Sequence, residues 1–132
     1  MKAIYVGVML SDPEKLLSWW EREVGKLLQK KISHHMTIKF KPSPEDLSEL
    51  TLGQEVRLRV VGWVDDGTIQ AVAVEPEGVV SHNRIPHVTV ATDGVTSPVK
   101  SNTLLEEGFT RIQGPTLKGR IGVFDGKQDI FS

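Results

Sequence analysis

From Ala3 to Leu10 the chain reads AIYVGVML, apolar and rich in β-branched residues, which predicts a first strand. SDPEK then signals a helix start, with Ser11 or Asp12 as N-cap, Pro13 near the first helical position and Glu14 at the positive end of the dipole. Leu16, Leu17, Trp19, Trp20, Val24, Leu27 and Leu28 recur at helical spacing, so the helix is predicted over 13–30, with Lys26, Lys30 and Lys31 suiting its C-terminal end. HHMTIKF alternates with period two and reads as a strand; KPSPEDLSELTLGQ reads as a loop with one short helical turn. Strands follow over 55–64 and 68–76, joined by the hairpin signal DDG. GVVSHNRIP is a loop leading into the strand HVTVAT. Ser97 then caps a second helix with Pro98 in its first turn, ending near Gly108, and FTRIQ and LKGRIGVFDG supply the last strands. The order predicts one α+β domain over residues 1–132: two similar lobes, each an antiparallel sheet backed by a helix.

One phrase occurs on two of these strands. His35-Met36-Thr37-Ile38 and His87-Val88-Thr89-Val90 both read His, apolar, Thr, apolar, and they use half of the chain's four histidines. Strand side chains alternate between faces, so His35 and Thr37 share one face and Met36, Ile38 and Phe40 the other. His87 and Thr89 likewise oppose Val88 and Val90. Laid side by side, the strands bring two imidazoles and two hydroxyls to one small space. That set suits hydrolysis or transesterification at phosphorus. One neutral imidazole accepts a proton from the nucleophile, the other donates to the leaving oxygen, and the hydroxyls bond the non-bridging oxygens. An ordinary histidine pKa of about 6.5 serves both roles.

Composition narrows the field. The absence of cysteine excludes disulfides, thiolate chemistry and cysteine-bound metal sites. No apolar run reaches the roughly 20 residues of a membrane span. MKAIYVGVML lacks a small-residue cleavage site and reads as a strand, not a leader, so a cytoplasmic protein is expected. A net charge of −1 argues against a general nucleic-acid coat. From Val24 to Pro44, however, there are only lysines (Lys26, Lys30, Lys31, Lys39, Lys41) and no acid, and 78–92 carries Arg84 and no acid, surroundings that suit an anionic ligand.

With its paired H-x-T-φ motifs the chain resembles the two-histidine (2H) phosphoesterase superfamily, which carries them on a bilobal α+β fold with a central cleft. That superfamily includes LigT-like RNA phosphodiesterases, the cyclic phosphodiesterase domain of fungal and plant tRNA ligases, and phage enzymes that destroy cyclic-nucleotide signals. PHVTVATDGVTSPVKSNTLL is similar to the tRNA-ligase group, where the second motif runs into a "kPv-SN" helix start. The resemblance implies His35 and His87 as the catalytic pair, Thr37 and Thr89 as phosphate-binding residues, no cofactor and no metal. The implied substrates are RNA 3′ ends or cyclic nucleotides bearing 2′,3′-cyclic phosphates. Either imidazole can take either role; the working assignment makes His35 the acid and His87 the base.

Further candidates come from position. Lys39 shares the predicted strand face of His35 and Thr37. Arg84 and His82 lie in the loop before the second motif, as possible contacts to phosphate or base, and Tyr5 or Trp63 can stack a base. His34 is expected to face away from His35. Two other functions stand beside a 2′,3′-cyclic phosphodiesterase: hydrolysis of cyclic di- or oligonucleotides, and nucleotide or RNA binding without catalysis. A metal site built from His34, His35, His82 and His87 is disfavoured, because adjacent strand residues diverge and no acid accompanies either motif.

Overall fold

The computed structural model describes residues 2–132, and its strands form one continuous antiparallel sheet. In chain order come β1 (Tyr5–Leu10), α1 (Pro13–Glu23), β2 (Lys30–Lys31), β3 (His35–Phe40) and α2 (Pro44–Ser48). Then come β4 (Glu55–Asp65), β5 (Ile69–Pro76), β6 (His87–Thr92), α3 (Lys100–Glu106), β7 (Thr110–Arg111), β8 (Thr116–Phe124) and β9 (Asp129–Ile130). Strands β4, β5, β6, β3, β1 and β8 pair in that order, and β8 returns to β4, with Leu58 opposite Leu117. The sheet therefore closes into a barrel, with β2, β7 and β9 attached to it. The α+β class agrees with the sequence. Where two separate sheets were expected, one closed sheet is found.

Alternation explains which face is which. Val6 and Val8 of β1, Met36 and Ile38 of β3, Val88 and Val90 of β6, and Val72 and Val74 of β5 belong to one buried cluster inside the barrel. Leu16, Leu17 and Trp20 of α1 join that same cluster, so α1 completes the interior. Burying side chains of this kind stabilises by about 1.5–3 kcal/mol each. A second, smaller cluster lies on the opposite face of the sheet: Val64, Ile69, Ala71 and Ala73 pack against Leu105 of α3. The residues between the inward ones, His35 and Thr37 on β3 and His87 and Thr89 on β6, must face outward, beside α3.

The helix expected over 13–30 stops at Glu23. Gly25 has φ +154, a conformation other residues avoid, and the chain leaves the helix there. The buried Gln70 side chain pins the segment beyond it: Gln70 Nε2 donates to the Lys26 carbonyl at 2.9 Å and Oε1 accepts from Leu28 N–H at 2.9 Å. Lys30 and Lys31, expected near the helix end, instead form β2 against Thr92 and Ala91 of β6. No helix among the described residues is long and apolar enough to cross a membrane.

Candidate active site

The two motif strands are antiparallel neighbours, with Met36 opposite Val88. The repeated phrases thus run head to tail, which sets Thr37 across from His87 and His35 towards Thr89. On the far side of β6, Ala71 and Ala73 of β5 pair with Thr89 and His87 and are covered by Leu105 of α3. A cavity of about 570 Å³ results, lined by His35, Thr37, His87 and Thr89 together with Tyr5, Ile4, Ile32, Phe40, Asn83, Pro98, Val99 and Asn102. Its volume falls in the range of about 300–1,000 Å³ typical of small-molecule sites. No lysine, arginine, aspartate or glutamate among the described residues lines it.

Each imidazole is held by its Nδ1. His87 Nδ1–H donates to the Ile85 carbonyl at 2.8 Å, and the ring is buried. His35 Nδ1 lies 2.9 Å from His34 Nδ1 and 3.3 Å from the Tyr5 hydroxyl, and its Nε2 lies 3.1 Å from Thr37 Oγ1. Burial, then the charges of His34 and His87, pull the His35 pKa from 6.5 to about 3. Burial also lowers that of His87, with the Ile85 carbonyl opposing the shift. Burial and the neighbouring Asp129 carboxylate raise the Tyr5 phenol above its usual value, so it stays protonated. Thr89 Oγ1 and the fully buried Ser101 Oγ of α3 are hydrogen-bonded at 2.9 Å. The helix that begins at the SPVKSN stretch is thereby stapled to the second motif.

Four of the sequence candidates, His35, Thr37, His87 and Thr89, meet in the cavity, and Tyr5 joins them. Tyr5 does not offer a free face for a base. Its ring stacks on His35 of β3 at 4.3 Å and on Phe124 of β8 at 5.3 Å, the strands that flank β1. Trp63 packs its ring against Trp20 in an edge contact of 5.8 Å, away from the cavity lining.

Lys39 is not in the cavity. The β1–β3 register pairs Val6 with Lys39 but Gly7 with Thr37, so a β-bulge at Ile38 shifts the alternation by one residue. Lys39 turns away to an ion pair with Asp46 at 2.9 Å, and Phe40, expected in apolar packing, turns into the cavity with 61% of its surface exposed. The loop before β6 shows a similar exchange. His82 and Arg84 are exposed outside the cavity, while Asn83 between them lines it. Ser81 Oγ donates to the Thr37 carbonyl at 2.7 Å and fixes that loop against β3.

His34 also departs from expectation. It precedes β3, after Ser33 in the left-handed region at φ +41, so strand alternation does not apply to it. Its ring turns towards His35, and its Nε2 lies 2.9 Å from Asp129 Oδ2. Asp129 arrives on β9, whose register against β8 places it opposite Phe124. Nothing local in the sequence marks this contact. Among the described residues no three His, Asp or Glu side chains are grouped to hold a metal ion. No family model, no curated protein and no solved structure matches this chain.

Proposed function

We propose that this chain is a metal-independent phosphodiesterase that hydrolyses 2′,3′-cyclic phosphates of nucleotides or RNA ends, in the cytoplasm, by acid–base catalysis with His35 and His87. One imidazole takes a proton from water as its oxygen bonds to phosphorus. The bond from phosphorus to one ribose oxygen breaks, and the other imidazole delivers a proton to that oxygen, leaving a phosphomonoester. Thr37 and Thr89 hydroxyls donate to the non-bridging oxygens, where charge accumulates. On this reading the two motif strands are the inner strands of the family's two lobes, joined here in one closed sheet.

The observation that carries the proposal is the charge-free cavity that receives both imidazoles and both threonine hydroxyls. A cyclic phosphodiester bears a single negative charge, which two hydroxyls and one imidazolium can balance. A phosphomonoester or polyphosphate calls for lysine, arginine or metal. Phe40 supplies an open ring for a base, and Asn83 and Asn102 supply amides for its edge.

The test is turnover, in EDTA, of nucleoside 2′,3′-cyclic phosphates, an RNA ending in a cyclic phosphate, and a 3′,3′-cyclic dinucleotide. Hydrolysis of either of the first two, reduced about 10²- to 10⁴-fold in folded His35→Ala and in folded His87→Ala, is expected. Preference for the cyclic dinucleotide would move the protein to signal destruction. Tight binding with no turnover would make it a binding module, and activity abolished by EDTA would overturn the metal-free mechanism.

A further inference from the structure

The contacts of His35 bear on where its proton sits. A carboxylate only accepts hydrogen bonds, so His34 Nε2, at 2.9 Å from Asp129 Oδ2, carries a proton. In the neutral form of His34, Nδ1 is then the bare nitrogen. His35 Nδ1 lies 2.9 Å from that nitrogen, and one of the two must donate, so a neutral His34 requires the proton on His35 Nδ1. The Tyr5 hydroxyl oxygen, 3.3 Å away, shares the same N–H. His35 Nε2 then keeps its lone pair and accepts from the Thr37 hydroxyl at 3.1 Å, a bond that the attacking water and the phosphate would take over.

We propose that Asp129 and His34 are positioning residues that hold His35 in the Nδ1–H tautomer, making His35 the general base and leaving His87 the general acid. This reverses the working assignment drawn from the sequence, and its catalytic half rests on the phosphodiesterase reading above. The two imidazoles repeat in sequence but not in surroundings. His87 Nδ1–H meets a carbonyl, an acceptor that favours the protonated ring. His35 meets a second imidazole and is covered by the Tyr5 ring, and its burial drives it to the neutral form. A base must be neutral before it acts and an acid charged, so the asymmetry selects the direction of proton flow. Orientation by a hydrogen-bond partner behind the ring is the device that carboxylates use on metal-bound or catalytic histidines.

The tautomer is readable without any substrate. In ¹⁵N-labelled protein at neutral pH, long-range ¹H–¹⁵N correlation spectra are expected to show His35 protonated at Nδ1 and His34 at Nε2. Asp129→Asn and, separately, His34→Phe should move His35 towards the Nε2–H form. A wild-type His35 protonated at Nε2, or a tautomer unmoved in both folded variants, would overturn the relay. On a nucleoside 2′,3′-cyclic phosphate both variants should lose about 10- to 100-fold in kcat with KM unchanged, and Asp129→Glu should recover part of the loss. Equal kcat in wild type and both variants would remove the positioning role. A nitrophenyl nucleotide diester, whose leaving group needs no proton, separates the roles: turnover should return in His87→Ala and not in His35→Ala, and the reverse would overturn the assignment. A wild type inert on every phosphodiester would retire the proposed function, while the spectra would still decide the relay.

Discussion

Phe40 and Lys39 are adjacent, yet one bulge gives them different surroundings. Phe40 stands exposed at the cavity and Lys39 is paired with Asp46 outside it. Phe40→Ala should therefore raise KM about tenfold for a nucleoside cyclic phosphate, because stacking of one base contributes about 1–3 kcal/mol. Lys39→Ala should leave KM within about twofold, as expected for a partly exposed ion pair. Steady-state kinetics on the two variants checks both statements, and the opposite ranking would move the base site to the Lys39 side. His35 adds a pH prediction. Below pH 6.5 the unfolded chain takes up a proton that the native imidazole, lowered to about 3, refuses. The unfolded state then binds more protons, so stability is full above 6.5 and falls as the pH drops towards 3, with His87 acting in the same direction. Thermal melts across that range should show the decline, and His35→Phe should flatten it.

At the scale of elements, α3 is the part that makes an open sheet face into a cavity. Pro98, Val99 and Asn102 at its start line one wall, Leu105 packs on Ala71 and Ala73, and Ser101 bonds Thr89. Ser101→Ala removes the staple and leaves a buried hydroxyl on Thr89 without its partner, which should cost about 1–3 kcal/mol of stability. Because Thr89 is proposed to hold phosphate, turnover should fall as well, by about tenfold. Chemical denaturation and kinetics on the same variant check the pair of effects; a stability loss with unchanged turnover would limit Ser101 to structure. A helix start was visible in SPVKSN, although Ser97 does not cap it: the helix begins at Lys100, with Val99 at the cap position and no side-chain cap bond. That Ser101 reaches back to the second motif was not visible, since the bond depends on how the helix lies across β5 and β6.

For the whole molecule, closure of the sheet has a thermodynamic consequence. The strands of both motifs belong to one hydrogen-bonded ring whose apolar residues form a single interior, so neither half has a core of its own. Unfolding should be one cooperative transition, with tryptophan fluorescence and far-ultraviolet circular dichroism changing together. Two separated transitions would restore the picture of independent lobes. Leu58→Ala, at the fully buried β4–β8 seam, should lower stability by about 2–5 kcal/mol and keep the transition single.

Much of this was already fixed by the one-dimensional pattern. Period-two alternation through HHMTIKF and HVTVAT put Met36, Val88 and Val90 inside and the two His-Thr pairs outside, because a strand has only two faces. The chemistry proposed for the pair rests on side-chain type. Other features depend on register and long-range contact, which no local pattern encodes. An unpaired Ile38 exchanged Lys39 for Phe40, Gly25 ended α1 early, and closure of the barrel merged the two expected sheets. The same holds for the contact proposed to set the tautomer of His35. Asp129 is distant along the chain and reaches His34 only because β9 folds back on β8 at the edge of the closed sheet. The residues of the candidate site were written in the sequence; the proposed assignment of proton donor and acceptor between two like motifs rests on their different neighbours in space.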